Sequence, residues 1–136
     1  MDSASDAYDE LYVYTMGRAG FILQHVVDAF GAQTASKDTK PIGVTFALAG
    51  LFLRVERQYS GRQVQQVHVK LAKNRTQWPG IPLPEDRGSM TAVDVLAVAA
   101  GPDRDLAIDA WCRSVWAAFQ GSHRLIADLL REHQVI

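Results

Sequence analysis

The sequence predicts an all-α protein: a compact bundle of five or six helices around a central apolar helix at about 41–58, with a proline-rich strap at about 75–90. Three observations predict it. Apolar residues recur at three- and four-residue spacing along most of the chain, with no convincing strand alternation. From Ile42 to Leu53 only Thr45 carries a polar side chain, so no face of that stretch wants water. The run W-P-G-I-P-L-P, from Trp78 to Pro84, places prolines at alternate positions and enforces an extended path.

At 136 residues the chain makes one domain, 1–136, long enough to bury a core without staples. A net charge of −1 gives no global drive towards nucleic acid or anionic membrane. The single cysteine, Cys112, allows no internal disulfide and fits a reducing cytoplasm. The start is acidic (Asp2, Asp6, Asp9, Glu10) and lacks the pattern of a signal peptide, so a cytoplasmic setting is expected.

The first helix starts after Ser3 or Ser5 and reaches about Thr15, its early acids suiting the positive end of the helix dipole. Gly17 and Gly20 bracket a break. A second helix covers about Phe21 to Gln33, with Phe21, Ile22, Val26, Ala29 and Phe30 as its stripe, His25 inside it and Asp28 on its flank. Thr34 to Lys40 form a loop. Pro41 then opens the central helix, where its missing N–H costs nothing. Gly43, Ala47 and Gly50 give that helix one nearly bare side, suited to a close crossing.

Ser60-Gly-Arg-Gln63 matches a capping box and opens a fourth helix on Val64, Val67, Leu71 and Ala72, with His68 inside that stripe. Gly61, at the start of a surface helix, is expected to tolerate substitution better than Gly50. From Asn74 to Ser89 the chain is not helical, and Trp78, Ile81 and Leu83 are expected as pegs on the bundle. Thr91 opens a short helix ending near Ala100, before the stop signal Gly101-Pro102. Asp103 caps the last and longest element, whose seam is Ile108, Cys112, Val115, Phe119, Ile126 and Leu129. Gly121-Ser122 is placed to kink or divide it.

Catalytic motifs are absent: no H-E-x-x-H, C-x-x-C, G-x-S-x-G or P-loop pattern occurs. Cys112 falls on a buried seam, where a thiol behaves as a small hydrophobe. The stretch from Arg54 to Arg75 is basic, but few aromatics interleave it, which argues against nucleic acid. The leading expectation is therefore a non-enzymatic binding or protein-interaction module that meets a protein partner or itself, with no membrane span. Trp78 and Trp116 are the candidate interface residues, because Trp116 lies one position off the seam of the last helix; the competing reading is that the strap covers Trp116. The alternative is a small metal- or ligand-dependent enzyme, or a ligand-binding protein, with a site between helices. His25 and Asp28, three apart on one face, would form it with His68, and His123 could join. No cofactor is indicated by any motif.

From Gly17 to about Arg131 the chain is similar to a family of uncharacterised bacterial proteins, a domain of unknown function. The likeness rests on H-V-V-D-A-F-G-A-Q (His25–Gln33), A-G-L-F-L-R-V-E (Ala49–Glu56), M-T-A-V-D-V (Met90–Val95) and A-W-C-R-S-V-W-A-A-F (Ala110–Phe119). The resemblance singles out Asp28, Phe30 and Gln33, then Leu51, Leu53 and Glu56, then Trp111 and Trp116, and adds Gln33 to the ligand candidates. Many relatives look richer in histidine, and some carry an N-terminal cysteine pair. Here Thr34 and Ala47 stand where such histidines are expected, and the N-terminal cysteines are missing. The resemblance implies no activity.

Overall fold

A computed structural model describes residues 3–136. Seven α-helices occur among them: α1 (Ser3–Met16), α2 (Leu23–Gln33), α3 (Pro41–Arg57), α4 (Gly61–Asn74), α5 (Ala92–Leu96), α6 (Pro102–Ala118) and α7 (His123–Glu132). Short 3-10 turns at Ala19–Phe21 and Gln120–Ser122 precede α2 and α7. The described residues contain no strand, and none of their helices is long and apolar enough to cross a membrane. The count exceeds the expected five or six because the turn at Gly121 and Ser122 divides the final element completely, rather than bending it.

Every residue of α3 from Ala47 to Leu53 is buried, and α3 packs against α2, α4, α6 and α7. Pro41 stands in its first turn. Its other end closes on Gln58, which takes a left-handed backbone (φ 54°), while the Tyr59 N–H donates to the Leu53 carbonyl. A glycine would be the usual residue there, so the sequence carries no stop signal at that point.

The bare side of α3 receives α2. A β-carbon on Gly31 would stand 3.6 Å from that of Ala47, and Gly50 lies directly under the carboxyl of Asp28. As residue numbers rise on α2 they fall on α3, so the two helices run antiparallel. A β-carbon at Gly50 would come within 1.8 Å of Asp28 Oδ2. Gly61 is equally confined, contrary to the tolerance expected for a surface position. It is buried, and a β-carbon there would lie 1.8 Å from the backbone oxygen of Phe21.

This corrects the expected ranking of the two glycines. At Gly50 the obstacle is the end of a side chain, which can rotate. At Gly61 it is main chain, which cannot move without shifting the turn before α2. Gly61→Ala is therefore expected to lose about 1–3 kcal/mol, at least as much as Gly50→Ala, in chemical denaturation. Equal stability of Gly61→Ala and wild type would contradict that packing.

Residues 75–91 contain no helix. Trp78, Ile81 and Leu83 are half-buried against the core. The segment is bolted to the end of α2 from both sides. Arg87 Nη1 donates to the carbonyls of Ala32, Gln33 and Ala35, while Gln33 Nε2 donates to those of Arg87 and Met90. A helix C-terminus with unpaired carbonyls and a partial negative charge is a natural seat for a guanidinium.

Candidate functional site

Polar groups on α2 enter the core in sequence order along α3. Asp28 sits opposite Gly50, and one turn earlier His25 lies near Arg54 and Asp109, whose charges act on it. Both are buried, at 1% exposure for His25 and 3% for Asp28. Gln24 Nε2 donates to Asp28 Oδ1 at 3.0 Å, but Oδ2 has no partner, nor does either ring nitrogen of His25. Thr45 Oγ1 on α3 is a fourth orphan. A buried polar atom without a partner is costly, so four within two packed helices single out this layer.

Burial decides the protonation of the layer. It drives the His25 pKa down to about 4, with Arg54 adding to the shift and Asp109 opposing it, so His25 is neutral at pH 7. Burial pushes the Asp28 carboxyl well above the usual range, against a smaller opposing effect of the Gln24 bond. Burial likewise raises the Cys112 thiol, whose Sγ lies 3.6 Å from the His25 carbonyl, so it is no nucleophile. A neutral imidazole can ligate a metal or accept a proton and a carboxyl of raised pKa can donate one, whereas the buried thiol offers little for covalent chemistry.

The other candidates are committed elsewhere. His68 Nε2 lies 2.9 Å from the Phe46 carbonyl, and its ring stacks on Phe46 with centroids 4.8 Å apart. Phe46 and Arg54 are eight residues apart on α3, roughly 12 Å of helix, so His68 and His25 sit at different levels. His123 Nε2 lies 2.6 Å from the Trp116 carbonyl, its ring stacked 3.7 Å over that indole. Gln33 Oε1 accepts from Trp111 Nε1 at 2.9 Å. Among the described residues no three His, Cys, Asp or Glu side chains group to hold a metal ion. The trio of His25, Asp28 and His68 is thus not assembled, because α4 delivers His68 to the opposite end of α3.

Trp116 corrects a second expectation. It is 3% exposed, covered by Phe52 and His123, and its Nε1 donates to Glu56 Oε2 at 3.1 Å. Helix α6 buries pairs of neighbours, Ala107 with Ile108, Trp111 with Cys112, Val115 with Trp116, so its inner face is two stripes wide. It therefore offers no anchor to a partner. Trp78 is half-buried, set edge-on to Phe46 with the Arg75 guanidinium over its ring.

The surface residues that sequence reasoning passed over lie on α1. Val13 is 68% exposed and Met16 64%, with Tyr12 beside them. Asp9, Glu10, Val13 and Tyr14 line an open hollow of about 540 Å³. Leu11 and Thr15 turn inward, and Tyr14 and Arg18 fix the helix by binding Asp105 at 2.7 Å each, so α1 is held rather than loose. The signal was available: Asp6, Asp9, Val13 and Met16 recur at three- and four-residue spacing opposite the buried face. A second cleft of about 150 Å³, lined by Arg54, Val55, Gln58, Asp109 and Arg113, opens beside the ion pair of Arg54 with Asp109.

A family model described as a family of unknown function (DUF5946) matches residues 5–120. The chain belongs to that family. No curated protein and no solved structure matches it. The residues that carried the likeness to uncharacterised proteins now have partners: Gln33 with Trp111, Glu56 with Trp116, and Phe30 stacked on Tyr8 at 4.1 Å. Leu51 and Leu53 are fully buried. In this member of DUF5946 most of those positions join helices, while His25 and Asp28 keep unpartnered atoms.

Proposed function

We propose that this member of DUF5946 is a non-enzymatic protein-interaction module, working in the cytoplasm, that docks a basic, apolar-centred helix on the outer face of α1. The observation that carries the reading is the make-up of that face. Two large apolar side chains stand mostly in water beside acids that form no ion pair among the described residues. Exposed apolar side chains gathered on one helix face suit partner binding better than a solvated surface does. The acids select the charge of the partner. In this reading α3 is the axis of a helical bundle and residues 75–90 a strap, while α2, α5 and the bonds to Asp105 hold α1 in place for docking. Nucleic acid is a poor fit to an acidic face.

A photo-crosslinking side chain placed at Val13 in the native host tests the reading, with Arg124 as the control position, its side chain 94% exposed on α7. A discrete adduct is expected from Val13 and not from Arg124, and Asp9→Lys with Glu10→Lys should abolish it. Equal labelling from the two positions, or an adduct indifferent to the charge reversal, would overturn it.

A second reading has one observation in its favour. The orphaned nitrogens of His25 and Oδ2 of Asp28 suit a small ligand or metal ion held between α2 and α3. Under it, a divalent metal such as zinc should raise the melting temperature of the wild type and leave His25→Gln unmoved.

A further inference from the structure

The face of α1 has a counterpart on the same molecule. Along α4 the outward residues are Arg62, Gln65, Val69 and Lys73, with Lys70 at their edge, all exposed. Val69, like Val13, is an exposed valine in the middle of its helix face. The spacings mirror one another: Asp9 lies four residues before Val13, and Lys73 lies four after Val69. Both faces are stripes one or two residues wide at helical period, and they differ in sign.

We infer that the partner docked on α1 is a second copy of this chain, which presents α4 in antiparallel crossing, Val13 against Val69. The inference rests on the interaction reading of α1 and adds the identity of its occupant. The antiparallel sense follows from charge. The acids of α1 all lie on the N-terminal side of Val13, while Lys70 and Lys73 lie on the C-terminal side of Val69, so opposed helices bring two cations to the acids where parallel ones would bring Arg62 alone. Among the described residues Asp6, Asp9, Glu10, Lys70 and Lys73 form no ion pair, leaving them free for one between molecules. The buried face of α1 (Ala7, Leu11) and that of α4 (Val64, Leu71) are engaged in the core, so a partner meets only the outer stripes. The inferred assembly is a dimer in which a twofold axis relates two such contacts, each copy giving α1 to its neighbour and receiving α1 on its own α4. The assembly is held in part by exposed charges and weakens as salt rises.

Charge reversal in two variants tests it by light scattering at low ionic strength. Wild type should scatter at twice the 15.0 kDa chain mass. The variant Asp9→Lys/Glu10→Lys should be a monomer, and so should Lys70→Glu/Lys73→Glu. Mixed in equal amounts, the two should recover the dimer, because each supplies the helix charge the other has lost. A monomeric wild type, or a mixture that stays monomeric, would overturn the inference. The crosslink from Val13 separates this failure from that of the parent reading. An adduct near 30 kDa, twice the chain mass, supports the second copy; a charge-dependent adduct of another mass keeps α1 as the docking face and removes the copy as its occupant.

Discussion

Trp111→Ala is expected to lower stability by about 3–5 kcal/mol, the usual cost of deleting a buried tryptophan. Trp111 is fully buried on α6, which packs against both α2 and α3. Truncation would leave a cavity at that junction and strip Gln33 Oε1 of its donor. Gln33 also holds the main chain at Arg87 and Met90, so the loss extends to the segment between α4 and α5. Trp111→Phe separates the two effects. It keeps most of the bulk and removes the hydrogen bond, and about 1–3 kcal/mol should be lost. Urea denaturation at constant slope reads both values. A loss under about 1 kcal/mol for Trp111→Ala would mean that α6 is not pinned to α2 by this residue.

The second large effect is on the pH dependence of stability, where the two buried groups of α2 oppose one another. His25 titrates near 6.5 when unfolded and near 4 when folded, so the folded state resists its protonation. Its contribution falls as pH drops from 6.5 to 4, by about 3 kcal/mol in all. Asp28 works in the reverse sense. Its unfolded carboxyl ionises near 3.8 while the folded one holds its proton, so its contribution is full below that pH and is lost as pH rises. The Asp28 decline therefore opposes the His25 rise as pH increases from 4. Asp28→Asn, which keeps shape and removes the titration, should gain about 3 kcal/mol between pH 4 and 6.5 and stay level above it. Wild type should gain less over the same window, because the Asp28 decline offsets part of the His25 rise. Parallel profiles of the two proteins would show that Asp28 ionises normally in the fold.

Local signals carried much of the fold. The Ser60–Gln63 capping box forms as its residues imply, with the Gln63 side chain accepting from the Ser60 N–H at 2.8 Å and the Ser60 side chain capping in return. Thr91 and Asp94 do the same for α5. Pro41 and the apolar run after it gave α3, because those preferences depend on neighbours in the chain. What escaped depends on distant partners. No period in α4 reveals that Gly61 meets the carbonyl of Phe21, forty residues earlier. Trp116 looked spare because a single seam was assumed, whereas α7 folds back after the 3-10 turn and sets His123 over its ring. Arg54 looked like part of a basic surface until Asp109, 55 residues on, met it with both carboxylate oxygens at 2.9 Å.

The candidate site was legible in the same uneven way. His25 stands out as a polar residue inside an apolar stripe and Asp28 on its flank, and both keep orphaned atoms. His68 and His123 carried the same residue-level signal, yet each ring is absorbed by a nearby backbone carbonyl, which spacing does not report. The acidic stripe of α1 was visible at helical period, but its exposure followed only from knowing that Ala7, Leu11 and Thr15 are the buried face.

The proposed docking face is the outside of α1. Hydroxyl-radical footprinting tests it directly, because methionine oxidises readily and Met16 lies on that face, 64% exposed. The half-buried Met90 serves as the internal reference. In concentrated lysate of the native host, compared with dilute buffer, oxidation of Met16 should slow several-fold more than that of Met90. Slowing of both by the same factor would contradict the claim.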